Sequence, residues 1–211
     1  MWPEADKTQE LLLSAKAGDE QARDHLLQRH REALRRMVAM RLDRKIQQRV
    51  DASDIVQEVM VEANRRLAQY LENPVMPFHL WLRHMAKDRI IDAHRRHRGS
   101  AKRSVDREQA MTAPGKLDRS TVQLVSQLCD DQLTPAAAAT MGELQDRFEV
   151  AVNEMDEQDR EIILMRHFEH LSNQEVAAAL DLSAPAASMR YLRAMRRLRV
   201  ALGGDDGAEQ S

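Results

Sequence analysis

The stretch from Leu171 to Arg199, LSNQEVAAALDLSAPAASMRYLRAMRRLR, constrains the fold most, because its punctuation permits only two short helices and a tight turn. Ser172 is placed to cap the first helix, and Glu175, three residues on, can reach back to the cap amide, which is a capping box. Val176, Ala177 and Leu180 follow at helical spacing. Asp181-Leu182 then predicts a turn in which Asp181 takes a left-handed conformation, where glycine is commoner. Ser183 caps a second helix, and Pro185 stands in its first turn, where a missing N–H costs nothing. Ala187, Tyr191, Ala194 and Leu198 make one row expected to be buried, and Arg190, Arg193 and Arg197 make a row beside it. Arg196 and Arg199 add charge nearby, and no acidic residue interrupts Ser188–Leu202. A solvated helix ordinarily mixes signs, so this face predicts a helix-turn-helix whose second helix meets DNA. Arginine suits that task because it forks onto phosphates or guanine edges.

Charged residues make up 31% of the 211 and aromatics 3%, with seven Gly and six Pro, which predicts an all-α chain. The net charge of −2 conceals an asymmetry. Arg83–Arg103 holds eight Lys/Arg against two Asp, whereas Gly142–Glu161 holds eight acids against two Arg. Segregated charge of this kind implies one polyanionic partner and one basic partner. The single Cys129 excludes a disulfide framework within the chain. No apolar stretch approaches a membrane span and the first residues carry no signal-peptide pattern, so a cytoplasmic protein without membrane insertion is expected. Neither His94 with His97 nor His167 with His170 has an obvious third ligand, and no P-loop or GxSxG is present. No metal, no cofactor and no enzymatic activity are therefore expected.

Apolar periodicity predicts a helix from Asp19 to about Val50 through Ala22, Leu26, Leu34, Met37, Val38, Leu42 and Ile46. A second spans Asp51–Leu71, prolines break the chain over Glu72–Pro77, and a third spans Phe78–Arg98, ended by Gly99. Residues 100–134 read as a linker with Pro114-Gly115, after which Thr134-Pro135 starts a helix through Leu144, Phe148, Val152 and Met155. Asp156 opens the next, with Ile163, Leu164 and Phe168, and an acidic tail follows Gly203-Gly204. Two small helical domains result, over 5–99 and 135–203, with the linker between them and a disordered tail over 204–211. On the second helix Ile55, Val56, Val59, Met60, Ala63, Leu67 and Tyr70 occupy a core arc, while Asp51, Asp54, Glu58 and Glu62 occupy a separate one. Val61 lies on the acidic side, as the apolar contact of a docking surface for a basic partner. On the third helix Leu82, Ala86, Ile90 and Ala93 face inward, whereas Arg83, Lys87, His94, Arg95 and Arg98 gather on a basic arc suited to a nucleic-acid backbone.

These features together resemble the bacterial sigma-70 family of RNA polymerase sigma factors, in its small two-domain extracytoplasmic-function form. DASDIVQEVMVEANRRLAQYL (Asp51–Leu71) is similar to the family's acidic DA-x-D-[IL]-VQE pattern of region 2.2. FHLWLRHMAKDRIIDAHRRHR (Phe78–Arg98) is similar to regions 2.3 and 2.4, and Met155–Leu202 resembles region 4. The resemblance implies an alternative-type factor that binds core polymerase and directs promoter recognition, minus-ten melting and initiation. It implies docking of Asp51, Asp54, Gln57, Glu58, Val61 and Glu62 on the β′ clamp helices, with a further contact to the β flap. Minus-ten contacts would come from Arg83, Lys87, Arg89, His94, Arg95, Arg96 and Arg98, with Asn73 in the loop that captures a flipped base. Base extrusion costs a few kcal/mol, so a preformed pocket is required. Minus-35 contacts would come from Ser183, Pro185, Ala187, Ser188, Arg190, Arg193, Arg196 and Arg197. Asp181 departs from the family's usual turn glycine, and the second helix opens with few hydrogen-bonding side chains. The chain after Leu202 is too short for a sensory domain, so a separate anti-sigma factor is the implied regulator. Two other readings remain at this point, a dimeric helix-turn-helix regulator acting alone and a protein-interaction adaptor. An acidic helix with exposed Val61 discriminates, because the sigma factor needs it and the regulator does not.

Overall fold

The structure, a computed structural model, describes residues 2–42, 50–101, 148, 150–152 and 154–202, except the side chains of 97–101. The chain divides into two units, Met1–Thr112 and Ala113–Ser211, and the described residues are helical or turns, without strand.

In the first unit α1 (Ala5–Lys16) and α2 (Glu20–Arg41) meet at Gly18, whose φ of 97° is one that side-chain-bearing residues rarely adopt. Asp19 then caps α2, its carboxylate accepting the Ala22 N–H at 3.1 Å. Leu26, Leu34, Met37 and Val38 of α2 pack with Ile55, Val56, Val59, Ala63 and Leu67 of α3 (Ala52–Glu72). Leu82, Ala86, Ile90 and Ala93 of α4 (Phe78–Ala101) complete this core, as the sequence spacing predicts. Each large apolar side chain enclosed there contributes about 1.5–3 kcal/mol. An aromatic group closes one end. The enclosed His30 ring donates from Nδ1 to the Leu26 carbonyl at 2.8 Å and meets Phe78 edge-on at 5.0 Å. Trp2 lies against His30 and His79, while Tyr70 stacks near Phe78 and Trp81.

Two helix ends differ from expectation. α2 stops at Arg41, because the buried Leu42 turns the chain into an extended conformation (ψ 123°); Ile46 lies outside the described residues. α4 passes through Gly99 to Ala101. An internal glycine costs a helix only about 1 kcal/mol, too little to oblige a stop. The expected linker beyond Ala101, Cys129, the helix start at Thr134-Pro135 and the tail over 204–211 lie outside the described residues.

In the second unit Phe148, Ala151 and Val152 are buried ahead of α5 (Glu157–Ile163), which Asp156 caps through the Asp159 N–H at 2.9 Å. The helix then widens into a π turn over Leu164–Phe168, where the Glu169 N–H reaches the Leu164 carbonyl at 3.0 Å. His170, at φ 56°, reverses the chain into α6 (Asn173–Ala179), and α7 (Ala184–Ala201) follows. Ile162, Ile163, Met165, Val176, Ala187, Ala194 and Leu198 are enclosed.

Candidate functional site

α3 is strongly two-sided. Its apolar arc is buried as expected, and Asp54, Gln57, Glu58 and Val61 stand exposed on the other side, Val61 at 47%. These four, with Glu62, Arg65 and Arg89, line a shallow groove of about 440 Å³. Five of the six residues expected to dock are thus brought together. Asp51 stands apart, as the α3 N-cap. Its carboxylate accepts the Ser53 N–H at 2.8 Å, and that bond holds its pKa below the usual value. Glu62 is half-buried and paired with Arg66 at 2.5 Å. Arg89, expected among the DNA contacts, lines the acidic groove instead, and Arg65 joins it unforeseen. The spacing 54, 58, 61, 65 is one helical stripe, so Arg65 was legible in the periodicity.

The basic arc of α4 is narrower than expected. Arg83 is only 3% exposed, so it belongs to the packed interior and not to a phosphate-contacting face. Leu80 and Ala86, three residues to either side along α4, are buried with it, so this helix face is turned inward. His94 is half-buried, with Nε2 donating to the Arg41 carbonyl at 3.4 Å, and so ties α4 to the end of α2. Arg95 and Arg96 are exposed and Lys87 half-exposed, with Arg96 Nε donating to the Asp92 carbonyl at 3.4 Å. The Arg98 side chain lies outside the described residues. Asn73 ends α3 and is exposed. In the loop that follows, Val75 is 72% exposed, and the Tyr70 hydroxyl donates to the Met76 carbonyl at 2.8 Å, which pins the loop to α3.

The helix-turn-helix carries its expected punctuation. Ser172 Oγ accepts the Glu175 N–H at 3.2 Å, and the Glu175 carboxylate accepts the Ser172 N–H at 2.7 Å. Asp181 has φ 54°, and Ser183 Oγ accepts the Ala186 N–H at 3.3 Å. One strut was not foreseen. The Asn173 side-chain amide donates to the Ala184 carbonyl at 2.9 Å, fixing the start of α7 against α6. Tyr191 shares a 2.6 Å hydrogen bond with His167, and Arg166 lies over its ring at 5.4 Å. Burial pushes the His167 ring down to about 4 and raises the Tyr191 hydroxyl.

Along α7 the contact set needs two corrections. Ala187 is fully enclosed (0% exposed), so it packs α7 onto the unit and cannot reach DNA. Arg197 pairs with Asp156 at 2.9 Å and with Asp159, so its charge is already answered within its own unit. The Asp159 N–H, with Arg197 nearby, holds the Asp156 carboxyl below its usual range. Ser183, Pro185, Arg193 and Arg196 are exposed, and Ser188 and Arg190 half-buried. On the side of α7 away from the buried row stand Met189 (54% exposed) and Leu192 (47%). Sequence reasoning passed over both because it followed charge, although their phase against the buried row was readable.

The family models described as Sigma-70 region 2 and Sigma-70, region 4 match residues 26–100 and 145–198. Among solved structures, the chain is similar to CnrH in complex with the cytosolic domain of CnrY. Identity there is 23%, coverage 95% of this chain and 98% of that one, and the TM-score 0.58. It is also similar to RpoE in complex with the anti-sigma factor NepR from Bartonella quintana, at 19% identity, 96% and 99% coverage and a TM-score of 0.54. At such identities these two likenesses speak to the fold. No curated protein matches the chain.

Proposed function

The chain belongs to the sigma-70 family and is an alternative sigma factor directing transcription initiation, and from that premise we propose which of its surfaces does what. The α3 groove of Asp54, Gln57, Glu58, Val61 and Glu62 docks on the β′ clamp helices of core RNA polymerase, an assignment carried by one observation. Four unburied acidic, amide and apolar side chains of one helix, including an exposed valine, face away from a core that needs none of them. Val61 stands on the same stripe as Asp54 and Glu58, so the acidic row carries the apolar contact that a docking surface for a basic partner uses. Lys87, Arg95 and Arg96 contact the minus-ten strand, and the loop at Asn73, ahead of the first turn of α4, captures a flipped base. Ser183, Pro185, Ser188, Arg190, Arg193 and Arg196 contact the minus-35 element, and a further contact is made to the β flap.

On this reading the working domains are 5–99 and 135–203, joined by a linker over 100–134 that threads the polymerase, with the tail after 203 outside both. The protein acts in the cytoplasm and performs no bond chemistry of its own, which is left to the polymerase. No helix among the described residues is long and apolar enough to cross a membrane. CnrH and RpoE are each held by a partner in their structures, RpoE by an anti-sigma factor. An anti-sigma factor covering the docking and DNA surfaces is the regulator we infer here.

The test is co-elution with core RNA polymerase on gel filtration. Asp54→Arg with Glu58→Arg is expected to abolish it while leaving the circular dichroism spectrum helical. Undiminished co-elution of the double variant overturns the docking assignment. A chain that elutes alone, as a dimer that shifts duplex DNA, favours the stand-alone regulator.

A further inference from the structure

α7 has an unusual inventory for a helix assigned to base reading. From Ser183 to Leu202 it holds no Asn, Gln, Asp or Glu. Amide side chains read adenine and carboxylates read cytosine, so both of those direct readouts are unavailable. What remains is arginine for guanine, serine for either kind of pair, and apolar contact with the thymine C5-methyl, the one apolar group on a major-groove edge. The structure puts apolar side chains where contact is made. Met189 and Leu192 project from the side opposite Ala187, Ala194 and Leu198, which are fully enclosed. They stand about 8 and 12 Å along α7 from Ala184, within the N-terminal part that a recognition helix inserts into the groove. Pro185 and Ala186, also exposed, add no hydrogen-bonding side chain before them. Arg193 and Arg196 flank the pair and have no ion-pair partner among the described residues. That charge selects a polyanion over an apolar protein surface as the occupant. Val200, exposed as well, lies too far along the helix to share the same contact.

We propose that Met189 and Leu192 are specificity-determining residues that read thymine methyl groups in the major groove of the minus-35 element. This rests on the assignment of α7 to that element. Arg193 and Arg196 anchor the helix on phosphate or guanine beside them, and the two apolar side chains select thymine at the base pairs they cover.

The experiment uses holoenzyme reconstituted from the full chain and core polymerase. A preferred minus-35 sequence is selected from a duplex library, and each thymine in it is then replaced by deoxyuridine, which removes only the methyl. At one or two positions the replacement is expected to weaken holoenzyme binding about fourfold, the worth of one buried methyl-sized group. Met189→Ala and Leu192→Ala should each erase the sensitivity at one position while co-elution with polymerase persists. A selected element without thymine, indifference to deoxyuridine at every position, or sensitivity that survives both variants overturns the proposal. In those three cases promoter selection by holoenzyme still stands, and with it the function. If holoenzyme selects no upstream element at all, the assignment of α7 falls and the proposal falls with it.

Discussion

Arg193 and Arg197 lie one helical turn apart on α7, yet their surroundings assign them different tasks. Arg193 is exposed and unpaired among the described residues, whereas Arg197 spans Asp156 and the buried Asp159. Arg193→Ala is therefore expected to weaken promoter binding by holoenzyme and lower its salt slope by about one. Arg197→Ala should change the slope less. It leaves the Asp159 carboxylate buried without its partner and should destabilise the second unit by about 1–3 kcal/mol. Thermal unfolding beside a salt titration separates the two effects, and equal slopes for both variants would refute the division of labour. His30 is a second single-residue case. Burial holds its ring neutral and lowers its pKa from 6.5 to about 4. Between those values the unfolded chain binds a proton that the folded unit refuses. Stability is thus fully present above about pH 6.5 and falls as the pH drops towards 4, by at most about 3 kcal/mol from this group. His167 acts in the same direction in the second unit. His30→Phe should flatten that part of the pH dependence in a melting series, and an unchanged slope would show that the ring is not its source.

Among the elements, α6 and α7 were legible almost to the residue, because short polar side chains at both starts state where each helix begins. The turn between them includes Asp181 at φ 54°, a conformation with a steric penalty for any residue carrying a Cβ. Asp181→Gly is expected to raise the stability of the second unit by about 0.5–1 kcal/mol, with promoter selection unaltered. A lower melting temperature would mean that the aspartate side chain contributes more than its backbone costs. The ends of α2 and α4 and the π turn after α5 were not legible. Apolar spacing has no sharp edge, and a single glycine or one added residue in a turn shifts the energy by only about 1 kcal/mol. Packing of Leu42 and the run of bonds after Leu164 decided those positions.

For the whole molecule, the net charge of −2 averages over a basic segment, Arg83–Arg103, and an acidic one, Gly142–Glu161, and describes neither. The chain alone carries few exposed arginines on α7 once Arg197 is paired. It should leave promoter duplex unshifted at a concentration where the holoenzyme saturates it. A tight shift by the free chain would argue for a regulator that works alone. The family, the all-α class, the core stripes and the acidic α3 face followed from the sequence by itself, because residue type at 3.6-residue spacing determines which face is buried and which is charged. Tertiary packing alone decided the fate of individual polar and small side chains. It enclosed Arg83 and Ala187, engaged Arg197 with Asp156 and Asp159, and set Arg89 in the acidic groove. It also left Met189 and Leu192 facing outward. Helical phase says only which way a side chain leaves its own axis. What it meets there depends on neighbours brought close by distant parts of the chain.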